Sequence, residues 1–383
     1  MPFLTGRLSY RLFKPSGRSP GGFGPEVLDL LSAHAIGTQR VASADGSQHG
    51  WTAGDHVLDT QFDLAKNVIN DALHIAFRVD SNKPPADLLR AYMEVELKAL
   101  AANNPSGHPS AKQKREAKLI AKDRIEHESK DGRFIRRKAI PILWDGLSNE
   151  LYVGTTSAGI LDRLASCFKE TFDRKLDPMD ATSEACEEHI SRVDATEPTR
   201  FSHGQGDDVV WMVAEDDRNF LGNEFLVWLW YTLENESDTI KLADGSEVAV
   251  MMARTLALEC PRGQYGKDTL ASDGPAKLPE AFRALQAGRL PRKAGLTLVR
   301  HDKVYELTLQ AETLAVSSAR LPAPEEEDVR ARLEERISAI RHLGETLRLL
   351  YRAFLEKRLK ASWANDASPI KRWLKAEAEE AVA

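Results

Sequence analysis

The sequence predicts an α+β fold in which mixed helices and antiparallel sheets form several lobes. At 383 residues the chain is longer than one typical domain, which predicts two or three packed units. Hydrophobic residues make up 42% and charged residues 29%, which leaves ample apolar material for a core. Strand-like and helix-like runs alternate along the chain, and short turns join several neighbouring strands, as in antiparallel hairpins.

Four regions follow from this pattern. We predict an N-terminal α+β region at 1–110 and a basic helix with a strand–turn–strand–helix segment at 111–215. An aromatic insert and a basic hairpin occupy 216–322, and a helical region occupies 323–383.

The first region reads as strand, helix, strand, helix. Residues 8–13 alternate like a strand, and a helix over 25–37 begins at a proline and closes at a glycine. Residues 49–60 are typical of a loop. A strand is predicted over 73–80, and a helix over 85–104 has apolar residues at helical spacing.

The second region begins with a strongly basic helical pattern over 112–125. An apolar strand at 139–145, a turn at 146–150 and a second strand at 151–156 follow, and an amphipathic helix closes the region at 157–172.

The charge distribution singles out the basic helix and the residues after it. From Lys112 to Lys138 there are 11 Lys/Arg against 5 Asp/Glu, a net charge of +6 over 27 residues. Because the whole chain carries −6, all other residues together carry −12. A positive island on an acidic protein is typical of a polyanion-binding surface. The alternative is a solvated helix with ion pairs four residues apart.

The third region combines an apolar helix with hairpins. Residues 222–237 are rich in aromatic side chains, but their acidic neighbours favour a buried helix over a base-stacking platform. A hairpin is expected to turn at 244–245. Two further strands, 293–300 and 303–310, are joined by the dipeptide at 301–302.

The fourth region is one long helical pattern or two. Its acidic start and basic end complement the helix dipole. An apolar stripe at spacings of three and four predicts that it packs on the rest of the chain through Leu333, Ile337, Ile340, Leu343, Leu347 and Leu350.

No catalytic or metal-binding motif is found in the sequence, and no cofactor is predicted. The three cysteines lack C-x-x-C spacing, which suits a reducing compartment, and Cys167 is expected to be a buried small hydrophobe. Gly154 and Gly159 lack the Lys-Ser/Thr of a phosphate loop, so tight strand-to-helix packing is the better explanation of both. The ten histidines show no ligand spacing; His49, His56 and His74 are predicted to be structural.

One nuclease-like constellation is present. Asp87 is followed by Glu96 and Lys98, a spacing that can hold magnesium when the last two lie on one strand. The surrounding residues read as a helix, which would separate these two side chains by roughly 200°.

Membrane and export signals are not apparent. The N-terminus has no uninterrupted apolar segment of the signal-peptide kind. The most apolar stretch, Phe225 to Leu233, is too short to cross a bilayer. We therefore expect a soluble, cytoplasmic protein that does not associate with membranes.

Several of these segments, in this order, resemble the recombination-associated protein RdgC family. The resemblance is carried by LSYRLF at 8–13, Trp51 between glycines, KQKREAKLIAKDRI at 112–125, and RFIRRKAIPILWDGLSNELYVGTTSAGILDRLASCFKETF at 133–172. It continues in FRALQAGRLPRKAGLTLVRHDKVYELTL at 282–309 and in the terminal helix. It covers most of 1–215 and 276–360; the stretch from Asp216 to Leu258 departs by being longer and more aromatic.

The resemblance implies a ring-shaped homodimer that encircles double-stranded DNA without sequence preference and limits RecA access during recombination. It implies nucleoid association and possible binding of single-stranded DNA. The residues of this chain that would contact DNA fall into two groups. The first is Lys112, Lys114, Arg115, Lys118, Lys122, Arg133, Phe134, Arg136, Arg137 and Lys138; Phe134 is either a wedge against DNA or a core residue. The second is Arg262, Lys267, Arg289, Arg292 and Lys293.

Three hypotheses are therefore open. The first is a non-enzymatic DNA-binding protein that regulates recombination. The second is a magnesium-dependent exonuclease that uses Asp87, Glu96 and Lys98. The third is a scaffold that offers its C-terminal helix to a protein partner.

Overall fold

A computed structural model describes residues 3–38, 47–102, 104, 107–194, 196–199, 218–259, 267–274, 277–286 and 289–380. Within these ranges the chain consists of helices and of strands that pair antiparallel, so the α+β prediction is confirmed. None of the described helices combines the length and apolar character that a bilayer crossing requires.

The helices and strands lie in this order along the chain: β1 (Leu8–Pro15), α1 (Pro25–Ala33), β2 (Gln48–Thr52), α2 (Leu64–Asn67), β3 (Val68–Ile69), β4 (Ala72–Asn82), α3 (Ala86–Ala101), α4 (Ala111–Ser129), β5 (Ile135–Asp145), β6 (Glu150–Val153), α5 (Ala158–Phe172), β7 (Leu176–Pro178), α6 (Ala181–Asp194), α7 (Phe220–Asn235), β8 (Thr239–Lys241), β9 (Glu247–Glu259), β10 (Lys267–Ser272), α8 (Pro279–Gln286), β11 (Leu290–Arg300), β12 (Lys303–Gln310), β13 (Val316–Arg320), α9 (Val329–Arg358) and α10 (Trp363–Glu380).

The chain forms two compact units that do not follow chain order. Unit 1 comprises Met1–Pro25, Leu64–His74 and Pro141–Ala383. Unit 2 comprises Glu26–Asp63 and Ile75–Ile140. Strands β4 and β5 each contribute residues to both units. Each unit is assembled from segments that are separated in the sequence. The division into four sequence regions stays a prediction.

Unit 1 is built on an antiparallel sheet in the order β10-β9-β11-β12-β13-β1-β6-β5. The hairpin between β11 and β12 turns at His301 and Asp302, whose φ angles are 48° and 61°. Two successive residues with positive φ match the right-handed twist of the flanking strands, which explains the two-residue connection. The predicted turn at 301–302 is confirmed.

The core of unit 1 forms around α7. Twelve residues of this helix are buried, which confirms the prediction of a core helix over a stacking platform. The ring centroid of Trp230 lies 4.9 Å from Phe282 and 5.6 Å from Trp373, and Phe225 lies 5.3 Å from Tyr351.

The C-terminal region is two helices, α9 and α10. Four members of the predicted stripe are buried and the other two are partly buried against the same core. The apolar face of α9 is therefore packed within unit 1. It is not exposed for the protein partner that the third hypothesis requires.

The prediction for the segment around Trp51 is wrong. Residues 49–60 were expected to be a loop, but Gln48–Thr52 form strand β2, which pairs with β4. Trp51 is fully buried against Phe77, with ring centroids 5.7 Å apart. A Cβ at Gly50 would lie 2.7 Å from the backbone nitrogen of Ile36, so this glycine permits the close approach of the two segments.

The two glycines after β6 have different roles. A Cβ at Gly154 would lie 2.7 Å from Cγ of Pro141, so close packing against β5 explains this residue. A Cβ at Gly159 would meet nothing within 4 Å, so the packing explanation is wrong for this position.

His74 makes the stability of the protein sensitive to acid. Its side chain is 1% exposed on β4, and burial lowers its pKa from 6.5 to about 4. The unfolded chain therefore binds a proton, between these pH values, that the folded chain excludes. The free energy of unfolding should therefore fall as the pH falls through this window, by up to about 3 kcal/mol.

This pH dependence can be measured by urea unfolding of the wild type and of His74→Leu between pH 6.5 and pH 4. The exposed His56→Gln variant is the control, and equal pH slopes in all three proteins would contradict the assignment.

Candidate nucleic-acid interface

The first group of predicted cations lies on a helical hairpin and a strand of unit 2. The hairpin pairs α3 with α4. Ser110 caps α4: its hydroxyl accepts a hydrogen bond from the Gln113 backbone N–H, and the Gln113 side chain accepts one from the Ser110 N–H. This reciprocal capping starts the basic helix at a defined residue.

Polar contacts hold the two helices together. The hydroxyl of Tyr92 donates to the Glu128 carboxylate at 2.9 Å, and the Arg124 guanidinium lies 4.1 Å from the Tyr92 ring centroid. The Gln113 amide donates to the Leu100 carbonyl at 3.1 Å. No residue of α3 is buried, so its apolar residues contribute less to the core than their helical spacing suggests.

The cations of α4 lie beside its packed face. Ala117, Ala121 and Ile125 are the buried residues of this helix. Lys112, Lys114, Arg115, Lys118 and Lys122 are all exposed. Arg115, Lys118 and Lys122 recur at spacings of three and four, so they form a row on one side of the helix.

Three more cations extend along the first residues of β5. Arg136, Arg137 and Lys138 are exposed, whereas Ile140 and the residues after it are buried. Because side chains alternate along a strand, Arg136 and Lys138 share one face and Arg137 lies on the other. Arg137 is 3.6 Å from the carboxylate of Asp80, so part of its charge is neutralised.

Arg133 is also paired, and Phe134 is half-buried. Arg133 lies 2.6 Å from Asp131 and 3.8 Å from Glu128. Its hydrogen bonds hold the pKa of Asp131 below the usual range. Arg133 thus offers less free charge than its neighbours. The ring of Phe134 is half-buried, and its two predicted roles stay predictions.

Seven cations of this group are exposed and have no acidic partner within the described parts of the chain. They are Lys112, Lys114, Arg115, Lys118, Lys122, Arg136 and Lys138. We call them the cationic row of unit 2.

The second predicted group differs in its electrostatics. It belongs to unit 1, where Arg289 pairs with Asp268, and Arg292 pairs with Glu312 and lies 3.7 Å from Glu259. Lys293 is exposed. Arg262 and the side chain of Lys267 lie outside the described residues. The acidic partners of the two arginines make them weaker candidates for phosphate contacts.

The nuclease-like residues lie on α3, as the apolar spacing predicts. On a helix, Glu96 and Lys98 point in directions roughly 200° apart. Asp87 is 92% exposed and pairs with Arg90 at 3.3 Å. Over the described ranges, no group of three or more His, Cys, Asp or Glu is placed to hold a metal ion.

Cys167 is buried on α5, as predicted, and burial raises the pKa of its thiol to about 12. A thiol with so high a pKa is almost entirely protonated at neutral pH and is a poor nucleophile.

Arg7, Arg254 and Arg320 are not among the site residues predicted from the sequence. Arg7 and Arg254 line one groove on the exposed face of the unit 1 sheet, and Arg320 lies beside it, 3.7 Å from the lining residue Glu306. Arg7 is 247 positions from Arg254, and Arg254 is 66 positions from Arg320, so no local motif signals them.

No protein-family model matches the chain, and neither does any curated protein.

Proposed function

We propose that this protein binds double-stranded DNA without sequence preference and acts as a non-enzymatic regulator of homologous recombination. The observation that carries the proposal is the cationic row of unit 2. Seven exposed positive side chains, free of acidic partners within the described residues, occupy one helix and the strand that follows it. Such a cluster on a chain of net charge −6 is the expected footprint of a polyanion site.

Phosphate contacts alone are sufficient for this activity. Lys and Arg side chains that neutralise backbone phosphates release condensed counterions, and the released ions supply most of non-specific affinity. No base-reading motif is needed. If all seven cations contact phosphates, log K should fall with log salt at a slope of about −6.

The more specific parts of the proposal come from the resemblance to the RdgC family. They are a ring-shaped homodimer around DNA, a limit on RecA access, some binding of single-stranded DNA, and a place in the cytoplasm on the nucleoid. They predict twice the chain mass in solution. They also predict slower loading on covalently closed circles than on linear duplex, because a closed ring needs an end or an opening step.

The test is incubation of the pure protein with end-labelled linear duplex, in EDTA and in magnesium. We expect binding in both conditions and intact DNA, because phosphate contacts require no metal ion; magnesium should weaken binding only as a competing counterion does. Progressive degradation in magnesium that is lost in Glu96→Ala would instead establish the exonuclease. Glu94→Ala, which removes the same charge from an exposed position of α3, is the control and should leave any such degradation unchanged.

A further inference from the structure

A second polar site lies in unit 1, on the exposed face of its sheet. A groove of about 200 Å³ is bordered by strands β9, β11, β12 and β13 and by the residue that precedes β1. Two arginines and four hydroxyl residues line it, namely Arg7, Arg254, Thr255, Thr297, Thr308 and Ser318. Arg320 does not line the groove but lies beside it, 3.7 Å from Glu306, which does line it.

The charge of the groove is unbalanced. Glu306 is its one acidic residue in the described chain, and it faces two arginines: Arg254 at 2.9 Å and Arg320 at 3.7 Å. Arg7 is exposed and has no acidic partner within the described residues. With the neighbouring Arg320 included, three guanidinium groups against one carboxylate give the groove and its edge a net charge of +2.

Glu306 leaves hydrogen-bond donors of Arg254 and Arg320 available to a ligand. Oε2 of Glu306 accepts no hydrogen bond from the described residues although Nη1 of Arg254 is only 2.9 Å away. The N–H bonds of Arg254 are therefore not directed at that oxygen. The Arg254 and Arg320 side chains are 59% and 69% exposed, so they can reorient toward a ligand.

Two β-bulges build the groove. Between Ala294 and Leu296 of β11, strand β9 inserts extra residues and turns Arg254 outward at φ 69°. A Cβ at Gly295 would lie 2.0 Å from the Ala253 carbonyl oxygen, so this glycine admits the bulge. Bulges of this kind redirect side chains at functional sites.

The second bulge lies in β13, where Ser318 has φ 53° and its N–H donates to the Ser9 hydroxyl at 2.9 Å. Arg254 and Ser318, two non-glycine residues with left-handed backbone conformation, therefore both line this groove. Strained residues persist where the surrounding structure fixes them, and they cluster at binding sites.

From this geometry we propose that the groove is a phosphate-binding site, which takes the phosphate group of a nucleotide or of a nucleic-acid backbone. A guanidinium group can donate two parallel N–H hydrogen bonds to two oxygens of a phosphate. The hydroxyls of threonine and serine add further hydrogen-bond donors. An exposed ion pair alone stabilises a fold only slightly, so it does not account for two strained bulges and for two arginines beside one carboxylate.

The test uses the full chain and a double variant, Arg254→Asn with Arg320→Gln. Asparagine tolerates positive φ, so the bulge is retained. Calorimetry with pyrophosphate should show binding to the wild type that weakens on the order of tenfold or more in the variant. Lys241→Gln with Lys360→Gln removes the same charge from exposed positions elsewhere in unit 1 and should bind as the wild type does.

Glu306→Gln supplies a prediction of opposite sign. Removing the one carboxylate raises the net charge of the groove and should tighten pyrophosphate binding. A loss as large as that of the arginine variant would contradict the site.

A short DNA duplex separates the two sources of phosphate. Weaker duplex binding in the arginine variant, with a salt slope smaller by about one or two, identifies a backbone phosphate. A loss confined to pyrophosphate identifies a free nucleotide-like ligand. No loss beyond the control with either probe overturns the proposal. The site is independent of the cationic row: pyrophosphate binding without any duplex binding would support this groove while refuting the proposed function.

Discussion

Duplex binding is expected to fall about 100-fold at physiological salt when Arg115, Lys118 and Lys122 are all changed to glutamine. The three side chains form one row on α4, and each substitution is expected to remove one phosphate contact. Each contact contributes about 0.9 to the salt slope, so the slope should become shallower by about 2.7. Fluorescence anisotropy with a labelled duplex at several salt concentrations measures both quantities.

The matched control for this triple variant changes Lys169, Lys241 and Lys360 to glutamine. These lysines are exposed in unit 1, so the net charge changes equally while the cationic row remains. We expect the control to lose much less affinity, because distant exposed charges are largely screened. Equal losses in the two triple variants would mean that overall charge, and not the row, governs binding.

Arg358→Met is expected to destabilise the protein by about 3–5 kcal/mol. Arg358 is 6% exposed and donates from Nε to the Glu224 carboxylate at 2.5 Å; Glu224 is fully buried. Thr199 donates to both oxygens of that carboxylate, at 2.6 and 2.9 Å. Removing the arginine would leave a buried charge without its main counter-ion. Urea unfolding followed by tryptophan fluorescence measures the change.

The neighbouring residue gives the control for this variant. Lys357 is 46% exposed and lies 3.8 Å from Glu236, so Lys357→Met should change stability by less than about 1 kcal/mol. Adding Glu224→Leu to Arg358→Met should recover part of the loss, because no unpaired charge then remains. A loss in Arg358→Met no larger than in Lys357→Met would contradict the assignment of the Arg358–Glu224 pair as a stabilising buried contact.

Helices and strands with strong apolar periodicity were predictable from sequence. The buried helix α7, the two-residue turn at 301–302 and the stripe of α9 depend on local patterns, and local patterns are what a sequence displays. The basic helix was predicted for the same reason. Its start at Ala111 follows from the Ser110–Gln113 capping box.

Features set by long-range pairing were not predictable. Strand β2 contains glycine and polar residues, and only its pairing with β4 and the burial of Trp51 make it a strand. Arg289 and Arg292 look as basic in sequence as Arg136, yet acidic residues from other elements neutralise them. The arginine groove depends on strand register, which places residues far apart in sequence side by side.

The most direct test of the central claim is lysine footprinting by acetylation and mass spectrometry, with and without duplex DNA. If the cationic row holds DNA, the duplex should protect Lys112, Lys114, Lys118, Lys122 and Lys138. The exposed lysines of unit 1 at positions 169, 241 and 360 should be modified equally in both samples. Unchanged modification of the row together with protection of those three lysines would contradict the account.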